Sequence, residues 1–89
     1  MKINKNYVLR NVADTWIVLP LAEESVNFTG MMTLNESGVM LWKRLEQGAE
    51  PEDLVSALTS VYNVSAEQAH RDVMEFTEKL ISAGCIAQS

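Results

Sequence analysis

The amino-acid sequence predicts an α+β protein in which a three-stranded antiparallel sheet is followed by three helices. The first third of the chain is rich in β-branched and aromatic residues, and its apolar residues alternate with polar ones. Further along, apolar residues recur at helical spacing, with a stop signal at Gly48 and a start signal at Ser65. A chain of 89 residues supports one hydrophobic core, so we expect a single domain over residues 1–89.

The first two strands are predicted to form a hairpin. They cover Tyr7–Val12 and Thr15–Leu19, and only Ala13 and Asp14 separate them. This spacing is typical of a two-residue turn, although Ala-Asp is a weaker turn signal than Asn-Gly. Pro20 is expected to end the second strand, because proline has no N–H to donate to a neighbouring strand.

The third strand is predicted over Phe28–Thr33, where apolar and polar residues alternate. Gly30 interrupts its apolar face, and a glycine inside a strand often marks a bulge or the close approach of another backbone. We therefore expect this strand to lie at an edge of the sheet.

Caps and breakers place the ends of the three helices. Asn35 is a favourable N-cap for the first helix, and Pro51 suits the first position of the second. Ser65 and Gln68 have the spacing of a capping box, and Gly84 follows the last apolar position of the third helix.

The third helix has two apolar stripes, at about 100° per residue. The stripe that we assign to the core consists of Ala69, Val73, Phe76 and Leu80. The second stripe consists of His70, Met74, Thr77 and Ile81. The remaining flank is polar and is predicted to face solvent, and it consists of Gln68, Asp72, Glu75 and Lys79. The second stripe either packs on the sheet or forms one wall of a groove whose other wall is the third strand. Methionines in both walls would give such a groove adaptable contacts.

Composition excludes several classes of function. Acidic residues outnumber basic ones 12 to 7, for a net charge of -5, which argues against a nucleic-acid partner. Cys85 is the only cysteine, so neither an internal disulfide nor a cysteine-rich metal site is expected. The sequence has no apolar run typical of a signal peptide or a membrane helix. We expect a cytoplasmic protein that does not bind membranes.

The sequence also argues against an enzyme. His70 is the only histidine, and no Ser-His-acid arrangement can be assembled without it. Cys85 follows a helix-ending glycine, where a structural thiol is the usual interpretation. We therefore predict no catalytic residue, no metal and no cofactor.

Several residues resemble the pattern of the PqqD family, and the resemblance covers nearly the whole chain. Its best-marked stretch follows the spacing D-V-x-x-F-x-x-x-L-x-x-x-G-x-I, and upstream Leu34–Gly38 resembles the start of the family's first helix. The residues of the best-marked stretch are Asp72, Val73, Phe76, Leu80, Gly84 and Ile86. Most of the matching residues are packing and capping positions, so they specify the fold more than the function.

The resemblance implies a winged-helix-like domain that binds a ribosomally synthesised precursor peptide. The leader of that peptide would add as a strand beside the third strand, against the third helix, and be presented to a radical SAM maturase. Pyrroloquinoline quinone is one candidate product. The predicted peptide-binding residues are Thr29, Gly30, Met31, Met32 and Thr33 on the strand and His70, Met74, Thr77 and Ile81 on the helix.

Two other functions stay open at this point. Winged-helix domains also bind DNA, but the third helix would bring Glu67, Asp72, Glu75 and Glu78 to the phosphates against only two basic residues. An open strand edge can also pair with its own copy, so a homodimerisation module is the other alternative.

Overall fold

A computed structural model of the protein describes residues 1–21 and 32–86. It confirms the predicted order of three antiparallel strands followed by three helices. The first part of the predicted third strand, residues 28–31, lies outside the described residues. The elements are β1 (Tyr7–Val12), β2 (Thr15–Pro20), β3 (Met32–Leu34), α1 (Glu36–Gln47), α2 (Pro51–Val61) and α3 (Ala66–Ser82).

The hairpin between β1 and β2 turns in two residues, as the spacing predicted. Val12 pairs with Thr15 directly across the turn. Ala13 and Asp14 both have positive φ angles, 52° and 65°. A two-residue turn with two positive φ angles matches the right-handed twist of its strands. Alanine is a costly residue in this conformation because its Cβ crowds the backbone.

Ala13→Asn is expected to raise the free energy of unfolding by about 0.5–1 kcal/mol, because asparagine tolerates the left-handed conformation better than alanine. Ala13→Val should have the opposite effect, since a β-branched side chain is strained at positive φ. Urea denaturation of the two variants tests this prediction. A more stable Ala13→Val would contradict the turn geometry.

Strand β3 is an edge strand in the part of the chain that the structure describes. The sheet order is β1-β2-β3, and β3 pairs with β2 through Met32 opposite Val18 and Leu34 opposite Trp16. Paired residues project to the same face of a sheet. Val18 is fully buried, so Met32 and Leu34 face the core side, while Thr33 faces away from it.

The helix ends largely follow the predicted signals. Asn35 Oδ1 accepts a hydrogen bond from the Gly38 N–H at 2.9 Å, and α1 ends at Gly48, whose φ of 93° favours glycine. The capping box of α3 is only half formed. Ser65 Oγ accepts from the Gln68 N–H at 3.1 Å, but the Gln68 side chain donates to Asp72 instead of returning to Ser65. A side-chain partner one turn along α3 therefore competes with the cap.

The core lies between the three helices and one face of the sheet. Its fully buried side chains come from β2 and from all three helices, and they include Val18, Trp42, Leu45, Leu54, Val73 and Leu80. Near the termini of the described residues, Ile3 and Ile86 form an isolated β-bridge that closes the core. None of the described helices combines the length and apolar character needed to cross a membrane. No group of three or more potential metal ligands occurs within residues 1–21 and 32–86.

Cys85 is buried in this core, and its burial raises the pKa of the thiol from 9.0 to about 11. Desolvation disfavours the thiolate, which is the reactive form. The side chain therefore has the character of a structural thiol.

The raised pKa of Cys85 predicts a loss of stability at alkaline pH. Its contribution should be intact below pH 9.0 and decrease as pH rises toward about 11, because the unfolded thiol ionises first. The total loss should be on the order of 2 kcal/mol. Denaturation of the wild type and of Cys85→Ala across this range isolates the thiol from the tyrosines and lysines. A constant difference between the two proteins would contradict the prediction.

Candidate functional site

An open cleft of about 930 Å³ lies between β3 and α3, and we call it the β3–α3 cleft. All three residues of β3 line one side, and the start of α1 lines the adjoining side through Asn35, Ser37, Gly38 and Leu41. The end of α2 contributes Leu58 and Tyr62. The opposite wall is α3, which contributes Asp72, Glu75, Phe76, Glu78, Lys79 and Ser82.

The floor of the cleft is apolar. Leu41 and Leu58 reach it from within the core, and the partly buried Phe76, Tyr62 and Met32 lie nearer to the opening. An extended apolar groove beside a strand edge can receive the side chains of a bound chain while the edge pairs with its backbone.

Gly38 lets the start of α1 approach this floor. A Cβ atom at position 38 would lie 3.3 Å from Leu34 Cβ, 3.3 Å from Asn35 Oδ1 and 3.4 Å from Phe76 Cε1. Any larger side chain would therefore crowd both the N-cap and the Phe76 ring. Gly38 is not among the site residues that the sequence predicted. The sequence signal for this close approach is a glycine three residues after the N-cap, because alanine is otherwise preferred inside a helix.

The α3 wall has an acidic rim, which consists of Asp72, Glu75 and Glu78. All three side chains are exposed. Asp72 Oδ1 accepts a hydrogen bond from Gln68 Nε2 at 2.8 Å. Within residues 1–21 and 32–86, neither Glu75 nor Glu78 has a hydrogen-bond or ion-pair partner for its carboxylate. Lys79 is the one basic residue among those that line the cleft, so this wall is negative.

The structure brings part of the predicted strand site to this cleft. Met32 and Thr33 line it. Thr29, Gly30 and Met31 lie outside the described residues, so their part in the predicted site stays a prediction.

The predicted residues of the third helix lie elsewhere on α3. Thr77 is buried, and its hydroxyl donates to the Met74 carbonyl at 3.2 Å. His70 and Met74 are exposed, Ile81 is partly buried, and none of the four lines the cleft. At about 100° per residue, they lie on one side of the buried Val73–Leu80 stripe, and the cleft-lining residues lie on the other. The flank that the sequence analysis took for solvent-facing is therefore the cleft wall. Contact of His70, Met74, Thr77 or Ile81 with a peptide stays a prediction.

These features define a class of protein: a small α+β protein in which the edge strand of the described sheet lies beside an apolar cleft. The chain belongs to the PqqD family, since the family model described as coenzyme PQQ synthesis protein D matches residues 15–86. The match includes β2, β3 and all three helices, and with them both walls of the cleft. No curated protein sequence matches the chain.

Two solved structures are similar over almost their whole length. TbiB1 in complex with the TbiA(beta) leader peptide is 26% identical, with a TM-score of 0.80, over 100% of this chain and 98% of that one. Lasso peptide synthetase B1 complexed with the leader peptide is 21% identical, with a TM-score of 0.77, over 98% and 96% of the two chains. The second likeness shows the fold alone.

Proposed function

We propose that this protein binds the leader segment of a ribosomally synthesised precursor peptide. The observation that carries the proposal is the position of edge strand β3 beside the apolar β3–α3 cleft. Membership of the PqqD family supports it, as does the likeness to TbiB1, whose structure contains a leader peptide.

Strand addition explains how such a site would combine affinity with selectivity. The backbone of the leader would pair with the outer edge of β3, and these main-chain hydrogen bonds are independent of sequence. Alternate side chains of a strand point to the same face. Every second side chain of the leader would thus share the core-side face of Met32 and Leu34 and enter the cleft, which would then select among leaders.

The protein would act as a non-catalytic partner of a separate modifying enzyme. Among the described residues, neither His70 nor Cys85 lines the cleft, so its lining has neither a histidine base nor a thiol nucleophile. The candidate enzyme is a radical SAM maturase, and pyrroloquinoline quinone is one candidate product. Recognition would take place in the cytoplasm, where ribosomes deliver the unmodified precursor.

Calorimetric titration with a precursor peptide encoded beside this gene tests the proposal. The leader alone should bind and the core segment alone should not. N-methylation of single leader residues removes one backbone donor each, so losses of about tenfold should recur at every second residue of the bound stretch. Binding without this period of two would argue against strand addition. A leader that does not bind at all would refute the proposed function.

A further inference from the structure

The acidic rim of the cleft has a spacing that is unfavourable for the free protein. Asp72, Glu75 and Glu78 follow one another at three-residue intervals along α3. Residues at this spacing are neighbours on a helix surface, and like charges there destabilise the helix. Arg71 and Lys79 lie four residues before and after Glu75 and offset part of this repulsion, but of the two only Lys79 lines the cleft.

No basic side chain among the described residues forms an ion pair with the rim. The ion pair within residues 1–21 and 32–86 joins the terminal amine of Met1 to Glu50, far from α3 in sequence. Lys79 follows four residues after Glu75, but its ammonium forms no ion pair with that carboxylate. Two of the three rim carboxylates thus keep their full capacity to accept hydrogen bonds from a ligand.

The rim borders the apolar floor, since Glu75 and Phe76 both line the cleft. A ligand that fits both surfaces needs an apolar side chain for the floor and a cation for the rim. Lysine and arginine suit the boundary, because their aliphatic stems can cover apolar surface while the charge stays in water. Arginine can also bind a carboxylate through two parallel hydrogen bonds.

We propose that the cleft selects leader peptides in which a lysine or arginine stands close to an apolar anchor residue. The apolar residue enters the cleft against Phe76, and the basic residue lies over Glu75 and Glu78. This inference rests on the proposed function, and it adds the chemical class of leader that the site takes. Acidic leaders are rejected, because like charges across an interface disfavour the wrong partner.

Selection from a phage-displayed library of random dodecapeptides tests the inference without knowledge of the natural leader. Three immobilised proteins are compared at low salt: the wild type, Glu75→Gln/Glu78→Gln, and the control Glu52→Gln/Glu67→Gln. The control changes the net charge equally, but its two exposed positions do not line the cleft. The wild type and the control should enrich peptides with lysine or arginine near a large apolar residue, and the cleft variant should not.

Synthetic copies of the enriched peptides then give the size of the effect. The cleft variant should bind them about tenfold more weakly at low salt, the control should bind within about twofold of the wild type, and the difference should shrink at high salt. Circular dichroism of all three proteins confirms that they are folded.

The possible results distinguish the role of the acidic rim from the proposed function, which is binding of a leader peptide. The role of the acidic rim would be refuted if the enriched peptides had no excess of basic residues. It would also be refuted if they bound the wild type and the cleft variant with equal affinity. Neither result would contradict strand addition. If none of the three proteins enriches any peptide, the proposed function fails and the inference with it.

Discussion

Replacing Trp42 by alanine is expected to lower the free energy of unfolding by about 3–5 kcal/mol. Trp42 is fully buried at the centre of the core, so the change creates a large cavity among the helices. It also removes the indole N–H that donates to Glu46 Oε2 at 3.3 Å. Small domains are stable by only about 5–15 kcal/mol, so Trp42→Ala should leave a substantial unfolded fraction at physiological temperature.

Val61→Ala provides the matched control on the neighbouring helix. Val61 is 61% exposed, although it shares the helical spacing of the buried Leu54 and Leu58. Its truncation should change stability by less than about 0.5 kcal/mol. Urea denaturation followed by circular dichroism compares the two variants, and Trp16 remains as a fluorescent probe in both. Similar midpoints for both would mean that the core does not centre on Trp42.

The sequence predicts the element order well because the signals for it are local. Asn35 caps α1 through a hydrogen bond to a residue three positions away, and Pro51 begins α2 where a missing N–H costs nothing. The Ala13-Asp14 turn follows from the spacing of its two strands alone. Such features depend on a few neighbouring residues, so a single sequence contains enough information to place them.

The flank of α3 that meets the cleft could not be predicted in the same way. Periodicity shows which residues share a face, but the neighbour of each face depends on how α2 and α3 pack together. Polarity favoured the other flank, which does not line the cleft. The more apolar side of α3 includes Thr77, which is buried because its hydroxyl bonds to a carbonyl one turn back. The polar side lines an open cleft, where carboxylates can stay hydrated.

The burial of Phe76 also could not be predicted from periodicity alone. Its spacing relative to Val73 and Leu80 assigned it to the core stripe of the third helix. The structure leaves it partly buried at the margin, where its ring forms part of the cleft floor. A side chain in this position contributes both to the stability of the protein and to the ligand-binding surface. The effects of its mutation on folding and on binding therefore have to be measured separately.

Phe76→Ala is expected to weaken binding of the leader peptide by about thirtyfold, or roughly 2 kcal/mol, as is usual for an aromatic residue at the centre of an interface. Met74→Ala is the matched control on the same helix. Met74 is 39% exposed and does not line the cleft, so its truncation should change affinity by less than about twofold. Calorimetric titration of one leader peptide into each variant gives both values.

A second variant separates lost binding from lost stability. Phe76→Ala also removes some core contact, so its affinity is measured only where circular dichroism shows a folded protein. Ser82→Trp leaves the core intact, since Ser82 is an exposed residue at the end of α3 that lines the cleft. Its bulky side chain should obstruct the groove and weaken binding at least tenfold. If Met74→Ala weakens binding while Phe76→Ala and Ser82→Trp do not, the leader lies on the His70–Ile81 flank that the sequence pattern predicted, and the β3–α3 cleft is not its site.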